Sequence, residues 1–277
     1  MGIGHYENFP VASLLSPRAL RPAIVAIYHF ARTADDLADE GDTATPARAA
    51  DLAAYRADLV AAAQDAPHSG RWPQVFGPLA GCIRDYALPT GLLHDLLDAF
   101  EQDLGSPLHA DRASLLEYCR RSANPVGRLL LHLYGVRDAL ALRRSDAVCS
   151  ALQLVNFWQD LSRDLPRGRC YVPEADRVAH DVAPEVLRGG RDTPATRALV
   201  RTLCAWARDL MLEGAPLALQ VPGRAGWELR LVVQGGLRVL ERIGRMDHAT
   251  LARRPQLAVT DVPLLLWRAL RMRRSLP

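Results

Sequence analysis

ARTADDLADEGD, Ala31 to Asp42, overlaps the end of the apolar run PAIVAIYHFA, residues 22–31. The apolar spacing of that run is helical, so Asp35, Asp36 and Asp39 fall within about one and a half turns of one helix. Asp35 and Asp39 then lie one above the other, with Asp36 flanking them. Arg32 sits one turn before Asp36, and Tyr28 one turn before Arg32. Tyr28, Arg32, Asp36 and Asp39 make a polar seam on a helix otherwise built for a core. Acids crowded at a helix C-terminus repel one another and oppose the macrodipole. Two readings follow: a solvated, fraying end before Gly41, or a site that expects positive charge.

The same periodicity runs through the rest of the chain. Ser16 followed by Pro17 reads as a cap and first helical residue, opening a helix that runs to about Glu40. Thr45-Pro46 repeats the signal and opens an alanine-rich amphipathic helix. Helical patterns follow over 74–87, 91–104, 113–135, 138–165, 194–219, 226–245 and 262–274, with GGRDTP at 189–194 as a loop. Alternating β-branched runs of strand length are missing. These features predict an all-α chain forming a single domain over residues 1–277. Pro125 interrupts YCRRSANPVGRLLL, where an interior proline frees the Arg121 carbonyl. The break reads either as two helices joined at Ala123-Asn124 or as one broken helix lining a cavity.

With 277 residues, 49% of them hydrophobic, the chain has ample material for a core. A formal charge of +3 implies no nucleic-acid partner. Lysine does not occur, so all 34 basic residues are arginine, and side-chain anion binding falls to guanidinium forks. Five scattered cysteines without a CxxC fit a reducing compartment, not a disulfide framework or zinc site. MGIGHYENFP lacks the features of a signal peptide, and no apolar run approaches the ~18–20 residues of a membrane span. A cytoplasmic location is expected. GIGHYE fails as a dinucleotide fingerprint, because it ends in Glu7 and follows no strand. His29 and His132, set in apolar helical runs, are expected in the core or at a cavity.

LQLVNFWQDLSRDLPRGRCYVP, Leu152 to Pro173, carries the second polar cluster. Asn156, Asp160 and Asp164 recur every four residues, with Gln153 a turn earlier, so their oxygens share one helix face. An all-oxygen set without cysteine or histidine suits a hard cation such as Mg²⁺, which keeps waters and is completed by substrate phosphates. Two such clusters facing each other could grip a diphosphate through several Mg²⁺ ions, with Arg169 and Tyr171 reaching the same anion. The plainer reading is a charged outer face in which Arg163 and Arg167 pair with the acids.

Taken together, these stretches resemble the squalene and phytoene synthase family of head-to-head isoprenoid synthases, from His5 to about Arg254. The family's first motif is met by Asp35-Asp36-Leu37-Ala38-Asp39. Its second is met by Gln153, Asn156, Asp160 and Asp164 with RCYVP at 169–173, and a third block by YCRRSANPVGRLLL. HYENFPVASLLSP, YCRRSANPVGR and NFWQDLSRDLPRGRCYVP further resemble its bacterial hydroxysqualene synthases of hopanoid biosynthesis. The resemblance implies an isoprenoid-synthase helical bundle around a central cavity. It also implies a carbon–oxygen lyase that ionises presqualene diphosphate with Mg²⁺, without NADPH, and quenches the rearranged cation with water.

It further implies Asp35, Asp36, Asp39, Asn156, Asp160 and Asp164 as metal ligands, the five aspartates and Tyr28 as catalytic residues, and His5 near the diphosphate. Arg32, Arg169, Tyr171, Gln153 and Asn156 would bind substrate, with Phe9, Tyr28, Phe30, Tyr118 and Val126 walling off the carbocation. Two departures stand out. Gln159 replaces the usual Arg or Glu before the second motif's first aspartate, in keeping with one diphosphate instead of two, and Asn124-Pro125 replace small residues. The alternatives are condensation of two prenyl diphosphates to presqualene diphosphate, squalene or phytoene, and an inactive lipid-binding subunit. Substrate and product would both be long hydrocarbons with little water solubility, so exchange is expected through transient contact with neighbouring pathway enzymes or peripherally at the membrane's inner face. The C-terminal stretch LARRPQLAVTDVPLLLWRALRMRRSLP has the arginine, tryptophan and leucine composition of an interfacial helix; its alternative is a core-packing helix with a solvated basic end.

Overall fold

The computed structural model describes residues 17–39 and 44–275, with side chains as far as Met272. The Ser16 cap, His5, Phe9, Glu40 and Gly41 lie outside the described residues, as do the side chains of Arg273 and Arg274. Helices α1 (Arg21–Asp39), α2 (Thr45–Ala63), α3 (Pro73–Tyr86), α4 (Thr90–Asp103), α5 (Arg112–Ser122), α6 (Asn124–Leu133) and α7 (Ala139–Asp164) form the first part. Short α8 (Glu174–Ala179) and α9 (Pro184–Arg188) precede α10 (Pro194–Gly214), α11 (Leu217–Gln220), α12 (Gly223–Arg245) and α13 (Val262–Ser275). Among the described residues there is no strand.

Helix starts follow local chemistry. The first helix begins at Arg21, four residues later than Ser16-Pro17 suggests. Pro17 instead closes a turn, its carbonyl accepting from the Leu20 and Arg21 amides at 3.0 and 3.2 Å. Pro22 has no N–H to bond back to residue 18, so the regular ladder starts only here. Ala44, not Thr45, caps α2, with Pro46 in its first turn. The chain breaks at Ala123 into two helices, and Asn124 and Pro125 are buried at the start of the second. The long pattern over 194–219 divides in the same way: Pro216 follows the end of α10 and leaves α11 as a single turn.

Two cores result. One gathers α1, α2, α3, α4 and α6 around Phe30, Tyr55, Trp72 and Phe76, where the Tyr55 hydroxyl donates to the Phe30 carbonyl at 3.0 Å. Phe30 is fully buried there, so it is a core residue and not a cavity wall. The other gathers α5, α7, α10 and α12 around Leu154, Trp158, Leu161 and Leu203. Burying one such side chain stabilises by roughly 1.5–3 kcal/mol. Helices α7 and α10 approach closely at Gly214, where a Cβ would meet the Arg144 carbonyl and Val148. Helix α4 serves both cores, through Leu93 and Leu97 on one side and Ala99 on the other, and its C-terminus lies between them.

Candidate active site

Each acidic helix buries one face and leaves the other unpacked. On α1, Ile27, Phe30, Ala34 and Ala38 are buried, while Tyr28, Arg32, Asp35, Asp36 and Asp39 stay half-exposed. On α7, Leu154, Val155, Phe157, Trp158 and Leu161 are buried; Gln153, Asp160 and Asp164 are half-exposed and Asn156 is exposed. The helical spacing that groups these oxygens therefore also keeps them out of the core.

Contacts across the fold bring the two faces together. Arg169, in the loop after α7, pairs bidentately with Asp39 at the end of α1. Arg32 pairs with Asp35 at 3.3 Å and with Asp36 at 2.7 Å. Arg48 of α2 donates to the Ala38 carbonyl at 2.5 Å, placing a cation where the α1 dipole is negative. On α7, Asp160 is held by Arg254, whose second nitrogen donates at 3.2 Å. Arg163 and Arg167 stand near Asp164 and favour its ionised form.

Between the faces lies Asp103, the last residue of α4. The Tyr118 hydroxyl donates to its Oδ2 at 2.8 Å, while its Oδ1 is buried without a partner. Burial, and behind it the charge on Asp35, pushes the Asp103 carboxyl up to about 7, against the opposing Tyr118 hydrogen bond. Asp164 is likewise pushed up to about 7, by burial first and by neighbouring Asp160 second. Tyr171 joins the two, its hydroxyl raised by burial and by the charges of Asp103 and Asp164. Its ring stacks on Phe157 at 3.8 Å and 9°, with Tyr118 5.8 Å away and buried His109 6.1 Å away. Asp103, Ser106, Pro107, Arg169, Cys170 and Tyr171 line a small pocket at this junction.

Six carboxyl groups thus share the junction with the paired arginines Arg32, Arg169 and Arg254 and with Arg163 and Arg167 near Asp164. Burial is the first cause of the raised Asp103 and Asp164 carboxyls, and the neighbouring charges of Asp35 and Asp160 add to it. Among the described residues, no three acids, histidines or cysteines converge as a ready-made metal cage. The donor set still fits Mg²⁺: all oxygen, an orphaned buried oxygen on Asp103, and two open walls that leave room for water and phosphate oxygens.

Several expectations are corrected. Gln159 is fully buried and donates Nε2 to the Pro255 carbonyl at 2.7 Å, so its side chain faces the core and not the acidic junction. His29 is exposed on α1, because it falls opposite the Phe30 face. His132 is half-buried, as expected, against the Tyr86 carbonyl at 2.9 Å. Tyr118 faces the junction, whereas Val126 is half-buried on α6. Asp103, His109 and Arg254 were not among the expected site residues. Asp103 shares one signal with Asp39, an acid closing a helix; Arg254 had none, lying 94 residues from its partner.

The squalene/phytoene synthase family model matches residues 4–261. Hydroxysqualene synthase of Rhodopseudomonas palustris is 30% identical over 247 residues, covering 87% of this chain and 80% of that protein. Phytoene synthase of Thermus thermophilus is 32% identical, covering 96% of this chain and 88% of that one. The crystal structure of squalene synthase HpnC from Alicyclobacillus acidocaldarius superimposes with a TM-score of 0.80 at 38% identity, covering 88% of this chain and 90% of that one.

Proposed function

The chain belongs to the squalene/phytoene synthase family, and from that premise we propose that it converts presqualene diphosphate and water to hydroxysqualene and diphosphate. The observation that carries the diphosphate chemistry is the junction itself. Two open acidic helix faces and their arginine partners meet beside an aromatic stack. Similarity over most of the chain to a protein named hydroxysqualene synthase supports the particular step.

Mg²⁺ held by Asp35, Asp36 and Asp39 on one wall, and by Asn156, Asp160 and Asp164 on the other, would supply Lewis-acid assistance to the leaving diphosphate. Arg32, Arg169 and the Tyr171 hydroxyl flank the same space and stabilise charge as it builds on the departing oxygens. The breaking C–O bond leaves its electron pair on the diphosphate and a cyclopropylcarbinyl cation behind. Tyr118 and Tyr171, the latter backed by the Phe157 ring, offer aromatic surface to that cation, at about 0.5–2 kcal/mol per ring. The same side chains keep stray water away until rearrangement ends. One water then forms the new C–O bond, and its proton passes to the released diphosphate.

Coverage of 96% of the chain by a relative named phytoene synthase favours condensation of two prenyl diphosphates as the second reading. An inactive subunit is disfavoured by the retention of every motif acid. With Mg²⁺ present, presqualene diphosphate is expected to be consumed to an alcohol, and farnesyl diphosphate alone to remain unchanged in chromatography. A hydrocarbon or presqualene diphosphate formed from farnesyl diphosphate would replace the first reading with the second.

A further inference from the structure

The last described helix has two faces of unlike character. Ala269 and Met272 are fully buried, Met272 in a cluster with Val148, Met211 and Val233. Arg268 donates to Glu241 of α12 at 2.5 Å, so it fastens the helix and is not available to a ligand. Opposite, Val262, Leu266, Trp267 and Leu270 form one stripe at 47, 49, 50 and 64% exposure, continued by Val259 at 87% in the preceding turn. Half of the large hydrophobic side chains exposed among the described residues fall in these twelve positions. Arg271 lies over the Trp267 ring at 4.7 Å, and Arg253 is exposed just upstream. The one acid between residue 251 and the end of the chain, Asp261, is buried between Arg238 and Arg242 and contributes no outward charge.

We propose that this stripe is a docking face for an anionic lipid surface. Exposed leucine, valine and tryptophan interleaved with arginine, and free of outward acids, complement a negatively charged headgroup layer over hydrocarbon. Among the described residues no helix is long and apolar enough to cross a membrane, so α13 lies on the surface. The face is also coupled to the acidic junction. The segment leading into it is pinned to α7 by Arg254 on Asp160 and by the Pro255 carbonyl on Gln159. A bilayer held there would deliver and receive long-chain prenyl compounds next to the site. That purpose rests on the family's substrate class, whereas the test below reads no turnover and stands apart from the reaction proposed above.

The test is flotation of the full chain with vesicles of phosphatidylglycerol and phosphatidylcholine, against phosphatidylcholine alone, at low and high salt. Wild type is expected to float with the anionic vesicles at low salt and to be released as salt rises. Leu266→Ser/Leu270→Ser should reduce partitioning by about tenfold or more, and Arg271→Gln by a smaller factor. Because these side chains are exposed, thermal unfolding should match wild type. As a second readout, Trp267 emission should shift to the blue on vesicle binding, and Trp267→Phe should lose that shift. Wild type left at the bottom of the gradient, or variants floating equally well, would overturn the proposal. So would a wild-type dimer in lipid-free gel filtration that the stripe variants abolish, because a second copy would then own the face.

Discussion

Asp160→Asn is expected to lower turnover of presqualene diphosphate by about 10²–10³-fold at saturating substrate, while the protein stays folded at the assay temperature. Asp160 is where the α7 face is anchored: Arg254 grips it, and its charge is one cause of the raised Asp164 carboxyl. Asparagine preserves shape and removes the charge on which the proposed cation binding would depend. It also leaves the Arg254 guanidinium, only 12% exposed, without its counter-charge. A moderate fall in stability, about 1–3 kcal/mol, is therefore expected alongside the loss of rate. Circular dichroism at the assay temperature separates the two effects. A rate within a few-fold of wild type would remove Asp160 from the site.

The largest effect on stability is expected far from the acids, at Asp261. This side chain is 2% exposed and accepts from Arg238 at 2.8 Å, Arg242 at 2.6 Å and the Ala258 amide at 2.8 Å. It binds α12 to the turn that starts α13. Asp261→Asn leaves Arg242 without its carboxylate and Arg238 with Glu241 alone, and is expected to cost about 3 kcal/mol in urea unfolding at neutral pH. Burial alone would raise this carboxyl, but the amide and the two guanidinium groups outweigh it and hold it down at about 2. Its folded pKa lies below the unfolded value of about 3.9, so its contribution is fully present above that value. The contribution fades as pH falls toward 2. The gap between wild type and variant should accordingly be constant from pH 7 to 5 and shrink below about pH 4. A gap under about 1 kcal/mol at neutral pH would contradict the anchoring role.

What could be read from sequence, and what could not, divides along physical lines. Helix interiors were legible because amphipathic spacing acts over a few residues: the pattern at 138–165 becomes α7 at Ala139–Asp164, and that at 74–87 becomes α3 at Pro73–Tyr86. Starts and stops were less so. Pro22 and Pro216 each remove a ladder hydrogen bond, whereas the spacing of apolar residues runs on past both, so the pattern alone places the α1 start at Pro17 and carries 194–219 as one helix. The two acid clusters were legible because their members share a helix face. Arg254 on Asp160 was not, since tertiary folding alone joins residues so distant. Gln159 shows the opposite hazard. A residue beside a motif acid invites a chemical reading, yet the helix turns it into the core against Pro255.

In the proposed reaction, water captures a carbocation released when diphosphate leaves. Turnover of presqualene diphosphate in ¹⁸O-labelled water, with Mg²⁺ present, tests it most directly by mass spectrometry of the product. The expected products are an alcohol carrying one ¹⁸O on carbon and a diphosphate free of label. An unlabelled alcohol with label in the released phosphate would mean cleavage of the P–O bond, and a hydrocarbon product would mean that no water is added; either would contradict the proposed reaction.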